Sequence, residues 1–157
     1  MLKGITHLDD VDRRIVEELQ RDASSSHAEL ASRVGSSPAS VWRRIKQLEQ
    51  SGVLLGVVRL VDPYRLGQRV NVLCEVRLKD YSSECVDAFN LFVREQRRIL
   101  EWYSMSGDWD YLMRVIATDV ADYEQFLMRS LLKHPSVAGA SSHFTLSVTK
   151  YETALPI

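Results

Sequence analysis

The sequence predicts an α+β protein made of a three-helix module followed by a β-α-β-β-α-β module. Three observations predict it. Apolar residues recur at helical spacing in three short segments before Gly52, the period changes to two at Arg69, and strand-like and helix-like segments then alternate to the C-terminus.

Composition sets the outer limits. The 157 residues are 45% hydrophobic and 26% charged, which is globular and excludes a disordered or low-complexity chain. The length allows one domain, or two small modules of roughly 60 and 90 residues, each near the lower limit for a self-sufficient core, which oligomerisation would help. No apolar run approaches the roughly 18 residues needed to span a bilayer, and the start, Met1–Asp10, holds no signal-peptide apolar stretch, so a soluble cytoplasmic protein is expected. Cys74 and Cys85 form neither a CxxC pair nor a disulfide framework and read as structural thiols.

The first helix starts near Asp9 and carries Val11, Ile15, Val16 and Leu19 on one face. Ser26 followed by Glu29 is a capping box opening a second, short helix, in which Leu30, Ala31 and Val34 precede Gly35. Ser37-Pro38 opens a third, because a hydroxyl cap and a proline at the first helical position cost no backbone hydrogen bond. Its buried stripe is Val41, Ile45 and Leu48, and Gly52 ends it. Val53–Val61 reads as extended chain, punctuated by Asp62-Pro63-Tyr64-Arg65-Leu66-Gly67.

In the second module Val70, Val72, Cys74, Val76 and Leu78 alternate as a strand with one buried face. Ser82 or Ser83 caps a helix carrying Val86, Phe89, Phe92 and Val93. Extended segments follow at 99–105 and 111–117, then a helix over 120–134 stopped by Pro135, and a last strand over 142–151. The order β-α-β-β-α-β closes an antiparallel sheet with two helices on one face. Boundaries are expected at residues 1–55 for the first domain, 56–68 for a hinge, and 69–157 for the second domain.

The near-neutral total, 20 basic against 21 acidic side chains, hides an asymmetry. Residues 27–60 hold Arg33, Arg43, Arg44, Lys46 and Arg59 against Glu29 and Glu49, a local charge of +3 that leaves −4 elsewhere. Two short helices around a tight turn, the second with small, polar and basic residues outward, make a helix-turn-helix pattern. Arg43, Arg44 and Lys46 suit DNA phosphates, Ser37, Ala39 and Ser40 stand where base edges would be reached, and Gln47 joins them on the outward, DNA-binding face. Trp42 is expected to pack at the edge of the core. A catalytic or metal-binding set does not emerge, since the four histidines show no HxH, HxxH or HExxH spacing and the seven glycines form no phosphate loop.

Three runs in the first module carry a family resemblance: Leu8-Asp9-Asp10-Val11-Asp12-Arg13-Arg14-Ile15, then the stretch from Glu29 to Ser37, then Val41–Val53. With Ser106-Gly107-Asp108-Trp109-Asp110-Tyr111-Leu112, similar to a G-x-x-D-Y signature, and a Lys150–Pro156 ending similar to a K-x-x-x-L-P tail, the chain resembles the Lrp/AsnC transcriptional regulators along nearly its whole length. The 111–115 stretch with the 151–157 tail looks most similar to a subgroup regulating cysteine detoxification.

The resemblance implies a winged helix-turn-helix joined through a hinge strand to a ferredoxin-like effector domain, the module named for regulation of amino-acid metabolism. It also implies binding to double-stranded operator DNA, and homodimers pairing through their sheets and assembling to octamers. It implies no prosthetic group, but a small effector, usually an amino acid, bound where dimers meet. Carried over, the effector residues are Gly107, Asp108, Asp110 and Tyr111 in the turn, with Ser142, His143 and Thr145 at the facing start of the last strand. A turn of this kind presents a carboxylate to an ammonium group and backbone N–H groups to a carboxylate. Two other readings share the architecture. Sirohaem decarboxylases resemble it but lack the G-x-x-D-Y turn, and an architectural DNA-coating protein would bind without effector control.

Overall fold

In the computed structural model, which describes residues 7–157, the first helix begins where its cap stands. The Asp9 carboxylate accepts from the N–H groups of Val11 and Asp12, and α1 (Asp10–Arg21) follows. Residues 1–6, part of the start read for a leader, lie outside the described residues.

The α2 helix (His27–Val34) opens on the capping box, with Glu29 Oε2 accepting from both the N–H and the hydroxyl of Ser26 at 2.8 Å. Gly35 ends it at φ 67°, a left-handed turn glycine adopts without strain. The α3 helix (Pro38–Gln50) opens with the Ser37 hydroxyl accepting from Ser40 N–H. Ile15, Val16, Leu30, Ala31, Val34, Val41 and Leu48 form the buried centre of this unit, with Val11, Leu19, Ile45, Val53 and Leu54 packed around it.

After α3 the extended segment joins no sheet: residues 55–62 have no regular structure, and neither the wing nor the hinge strand forms in the single chain. A strand needs a partner to satisfy its backbone, and this segment has none among the described residues. Leu55, Val57, Val58, Leu60 and Val61 are all exposed, Leu55 by 92%.

The second unit contains β1 (Val70–Leu78), α4 (Ser83–Glu95), β2 (Ile99–Ser104), β3 (Tyr111–Ala117), α5 (Val120–Phe126) and β4 (Val137–Phe144). The strands order as β2-β3-β1-β4, every neighbouring pair antiparallel, which is the ferredoxin-like arrangement. Val72, Cys74, Val76 and Leu78 meet Phe89 and Val93 of α4, Met113 and Val115 of β3, and Tyr123 and Phe126 of α5 in one buried layer. Both cysteines are free and buried, and burial pushes the Cys74 thiol pKa up.

Two elements depart from expectation. The helix expected over 120–134 changes at Leu127 into a π-helical turn over Leu127–Leu131. The last strand occupies Val137–Phe144, not 142–151. Its Ala138-Gly139-Ala140-Ser141-Ser142 run is too small to show alternation, whereas the β-branched Val148 and Thr149 lie beyond the strand, whose last backbone bond runs from Thr145 N–H to the Asn71 carbonyl.

The chain divides into one compact unit ending at Leu60 and another over Val61–Thr149, and Lys150–Ile157 belongs with the first, not with the second as the expected 69–157 domain has it. Among the described residues no helix is long and apolar enough to cross a membrane.

Candidate nucleic-acid interface and ligand turn

The outward face of α3 follows from its spacing. At about 100° per residue, Arg43 lies about 200° round the helix from buried Val41, and Ala39, Lys46 and Gln47 fall within about 60° of Arg43. These four are exposed, while Ser40 is half-buried. Ser37 stands at the helix start, where its hydroxyl already caps the helix.

Arg44 does not share that face, which corrects its expected place among the DNA contacts. About 100° further round, it reaches α1, where one guanidinium nitrogen donates to Asp9 and to Asp12 at 2.7 Å each, with its side chain only 23% exposed. Those bonds, Asp12's first, raise the Arg44 pKa beyond its ordinary value. Arg33 likewise turns to Glu18 and Ser25. Lys46 pairs with Glu49 at 2.7 Å in an exposed contact, the kind that contributes little and is readily exchanged for a phosphate. Of the five basic side chains in residues 27–60, Arg43 and Arg59 have no ion pair among the described residues. Trp42 is 53% exposed, so it is not the edge-of-core residue expected.

The turn joining β2 to β3 is tightly held. Met105 N–H donates to the Asp110 carbonyl at 2.8 Å, Asp110 N–H donates to the Val76 carbonyl at 3.0 Å, and Gly107 sits at φ 115°. Arg77 donates through Nε and Nη2 to the Asp108 carbonyl at 3.1 and 2.8 Å, and its guanidinium lies 4.8 Å from the Trp109 ring centre. Both oxygens of Asp110 are engaged, one by Leu78 N–H and one by the Tyr81 hydroxyl, each at 2.7 Å. That bond to a carboxylate raises the Tyr81 pKa. Tyr111 is half-buried against Phe89 and Trp102, and burial raises its pKa. The exposed Asp108 carboxylate has no hydrogen-bond partner among the described residues.

The three β4 candidates are not brought to this turn within one chain. Ser142 pairs with Cys74 on the buried face, its hydroxyl 2.6 Å from that of Tyr123, whereas His143 lies on the opposite face, 3.1 Å from Glu75. Thr145 donates to the Asn71 carbonyl, while the turn is tied to Val76, five residues or about 16 Å along β1. Ser142 and His143 stand at the end of β4, not its start, and Thr145 just beyond it. Arg77 and Tyr81, which sequence reasoning missed, are the side chains that meet the turn. The outward place of Arg77 in the β1 alternation was the available signal for it.

A helix-turn-helix with a basic outward helix, joined to a ferredoxin-like unit with a polar turn, defines a class of two-module DNA-binding proteins. Comparison with known proteins narrows it. Residues 8–49 match the model of the AsnC-type helix-turn-helix domain and residues 71–155 that of the Lrp/AsnC ligand binding domain. The chain is 35% identical over 150 residues to the DNA-binding transcriptional activator DecR of Escherichia coli K12, covering 96% of this chain and 99% of that one. It is 33% identical over 150 residues to the leucine-responsive regulatory protein of the same strain, covering 96% and 92%. Among solved structures, an AsnC family transcriptional regulator from Agrobacterium tumefaciens superposes with a TM-score of 0.89 at 38% identity, over 95% of this chain and 97% of that one. A transcriptional regulator from Neisseria meningitidis, solved as an L-Met complex, gives 0.92 at 30% identity, over 96% and 97%. The chain belongs to the Lrp/AsnC family of DNA-binding transcriptional regulators.

Proposed function

We propose that this protein is a cytoplasmic, sequence-specific regulator whose operator affinity is set by an amino acid bound at the turn over residues 106–111. The observation carrying this reading is the pairing of opposite charges there. Asp108 offers a carboxylate with no hydrogen-bond partner among the described residues, and Arg77 is bonded to a carbonyl while three of its five N–H donors remain. An amino-acid zwitterion needs an acceptor for its ammonium and donors for its carboxylate, which are the groups these two residues supply. Asp110 and Tyr81 hold the turn, and Gly107 and Tyr111 shape its ends. The L-Met complex of the Neisseria relative supports the ligand class.

Ser142, His143 and Thr145 join such a site only if another subunit brings them there. The aliphatic side chains exposed along the hinge favour a partner copy, and we propose dimers that assemble further, to an octamer, with the effector between dimers. On the DNA side, Ala39, Ser40, Arg43, Lys46 and Gln47 form the reading face. The domains of this proposal are the DNA-binding unit over residues 1–55, the hinge over 56–68 and the effector unit from residue 69.

A thermal-shift panel of amino acids, including cysteine, leucine and methionine, tests the site. A ligand at a hundredfold its Kd adds about 2.7 kcal/mol to the stability of wild type. Asp108→Asn is expected to keep the unliganded Tm and lose most of that gain, and an undiminished gain in the variant would remove Asp108 from the site.

A further inference from the structure

The segment ending the chain has no regular structure, yet it is held to the DNA-binding unit by a specific lock. The Gln20 side chain, on the last turn of α1, pairs with the backbone of Leu155 in both directions. Its Nε2 donates to the Leu155 carbonyl at 3.1 Å, and Leu155 N–H donates to its Oε1 at 2.6 Å. A carboxamide carries a donor and an acceptor side by side, as a peptide group does, so Gln20 satisfies this backbone as a neighbouring strand would. Ala154, next to the lock, is half-buried although every other residue of Lys150–Ile157 is exposed.

We infer that residues 150–157 are a docking segment, with α1 as its dock and Gln20 as its lock, and that they strap the DNA-binding unit a second time. The first tether is the irregular 55–62 segment, whose backbone makes no hydrogen bond among the described residues. The second leaves β4 at Phe144 and reaches Leu155 eleven residues later, a length of up to about 40 Å of extended chain. Because the segment is covalently attached, its effective concentration at the dock is high, and two hydrogen bonds suffice to keep it seated while leaving it free to release. A seated strap restricts the DNA-binding unit before DNA arrives, so less freedom is lost on binding.

The test uses the full chain as wild type, Gln20→Ala, Gln20→Glu and a form ending at Thr149. Circular dichroism and melting confirm that each folds. Hydrogen exchange of the Leu155 amide reads docking, and anisotropy of a labelled duplex from upstream of the protein's own gene, with no amino acid added, reads the consequence. We expect a protected Leu155 amide in wild type and roughly tenfold faster exchange in Gln20→Ala. Gln20→Glu, which keeps the acceptor and loses the donor, is expected to fall between them. Gln20→Ala and the truncated form should bind the duplex at least threefold more weakly than wild type, and by similar factors. Free exchange at Leu155 in wild type, or exchange indifferent to Gln20, would overturn the dock. Released segments with DNA affinity unchanged would overturn the strap.

Discussion

Arg43 and Arg44 are neighbours in sequence with unlike environments. Arg44 ties α3 to α1 through Asp9 and Asp12, and Arg43 points away from the core with no partner among the described residues. Arg44→Ala is therefore expected to lower the Tm by roughly 3–6 °C, an effect of exposed and half-exposed ion pairs lost together. Arg43→Ala should leave the Tm in place, weaken DNA binding and reduce the salt slope by about one, since one phosphate contact is lost. Anisotropy at several salt concentrations, with a melt of each variant, separates the two roles. Asp110 shows the same division within the turn. Its carboxylate serves Leu78 N–H and Tyr81, so Asp110→Ala would unseat the turn as a whole, whereas Asp108→Asn would remove a charge from an intact turn.

The helix starts are where sequence and structure agree best, because a cap is a local event. Asp9, the Ser26–Glu29 box and Ser37-Pro38 each act within three residues of themselves. Ser26→Ala should cost about 1 kcal/mol, measured by denaturant unfolding. These caps also set an acid response. Asp9 is held below the ordinary carboxylate pKa by the Asp12 N–H and then by Arg44, and Glu29 by the N–H and hydroxyl of Ser26. A carboxyl depressed on folding stabilises the fold above its unfolded pKa and loses that contribution as pH falls through the folded value. The Tm should thus hold from pH 7 to about 5 and fall below about pH 4. Glu29→Gln, which retains the box geometry, should make that fall shallower in a pH series of melts.

Longer-range features were legible only in part. The period-two pattern of β1 places the sheet, yet β4 is misread because alanine, glycine and serine carry no pattern. Alternation sorts Ser142 from His143 only once the strand is known to end at Phe144. That Arg44 rather than Arg43 meets α1 depends on where the carboxylates of α1 stand, which spacing along α3 does not say. The lock on Leu155 leaves no mark in sequence, since it joins a side chain to a backbone 135 residues away.

At the scale of the whole molecule, the proposed function divides the work of a switch between the two modules. One holds DNA, the other a ligand, and the ligand shifts DNA affinity by no more than the difference in its own affinity for the two states. An architectural DNA-coating protein of the same fold would lack that coupling. The most direct test is fluorescence anisotropy of a fragment from upstream of the protein's own gene, against a scrambled fragment of equal composition. It would be run at about 150 mM salt with and without the amino-acid panel, because affinity without a stated salt concentration cannot be interpreted. Selective binding to the natural fragment is expected, shifted by one amino acid in wild type and no longer in Asp108→Asn. Equal binding to both fragments, unmoved by any amino acid, would contradict it.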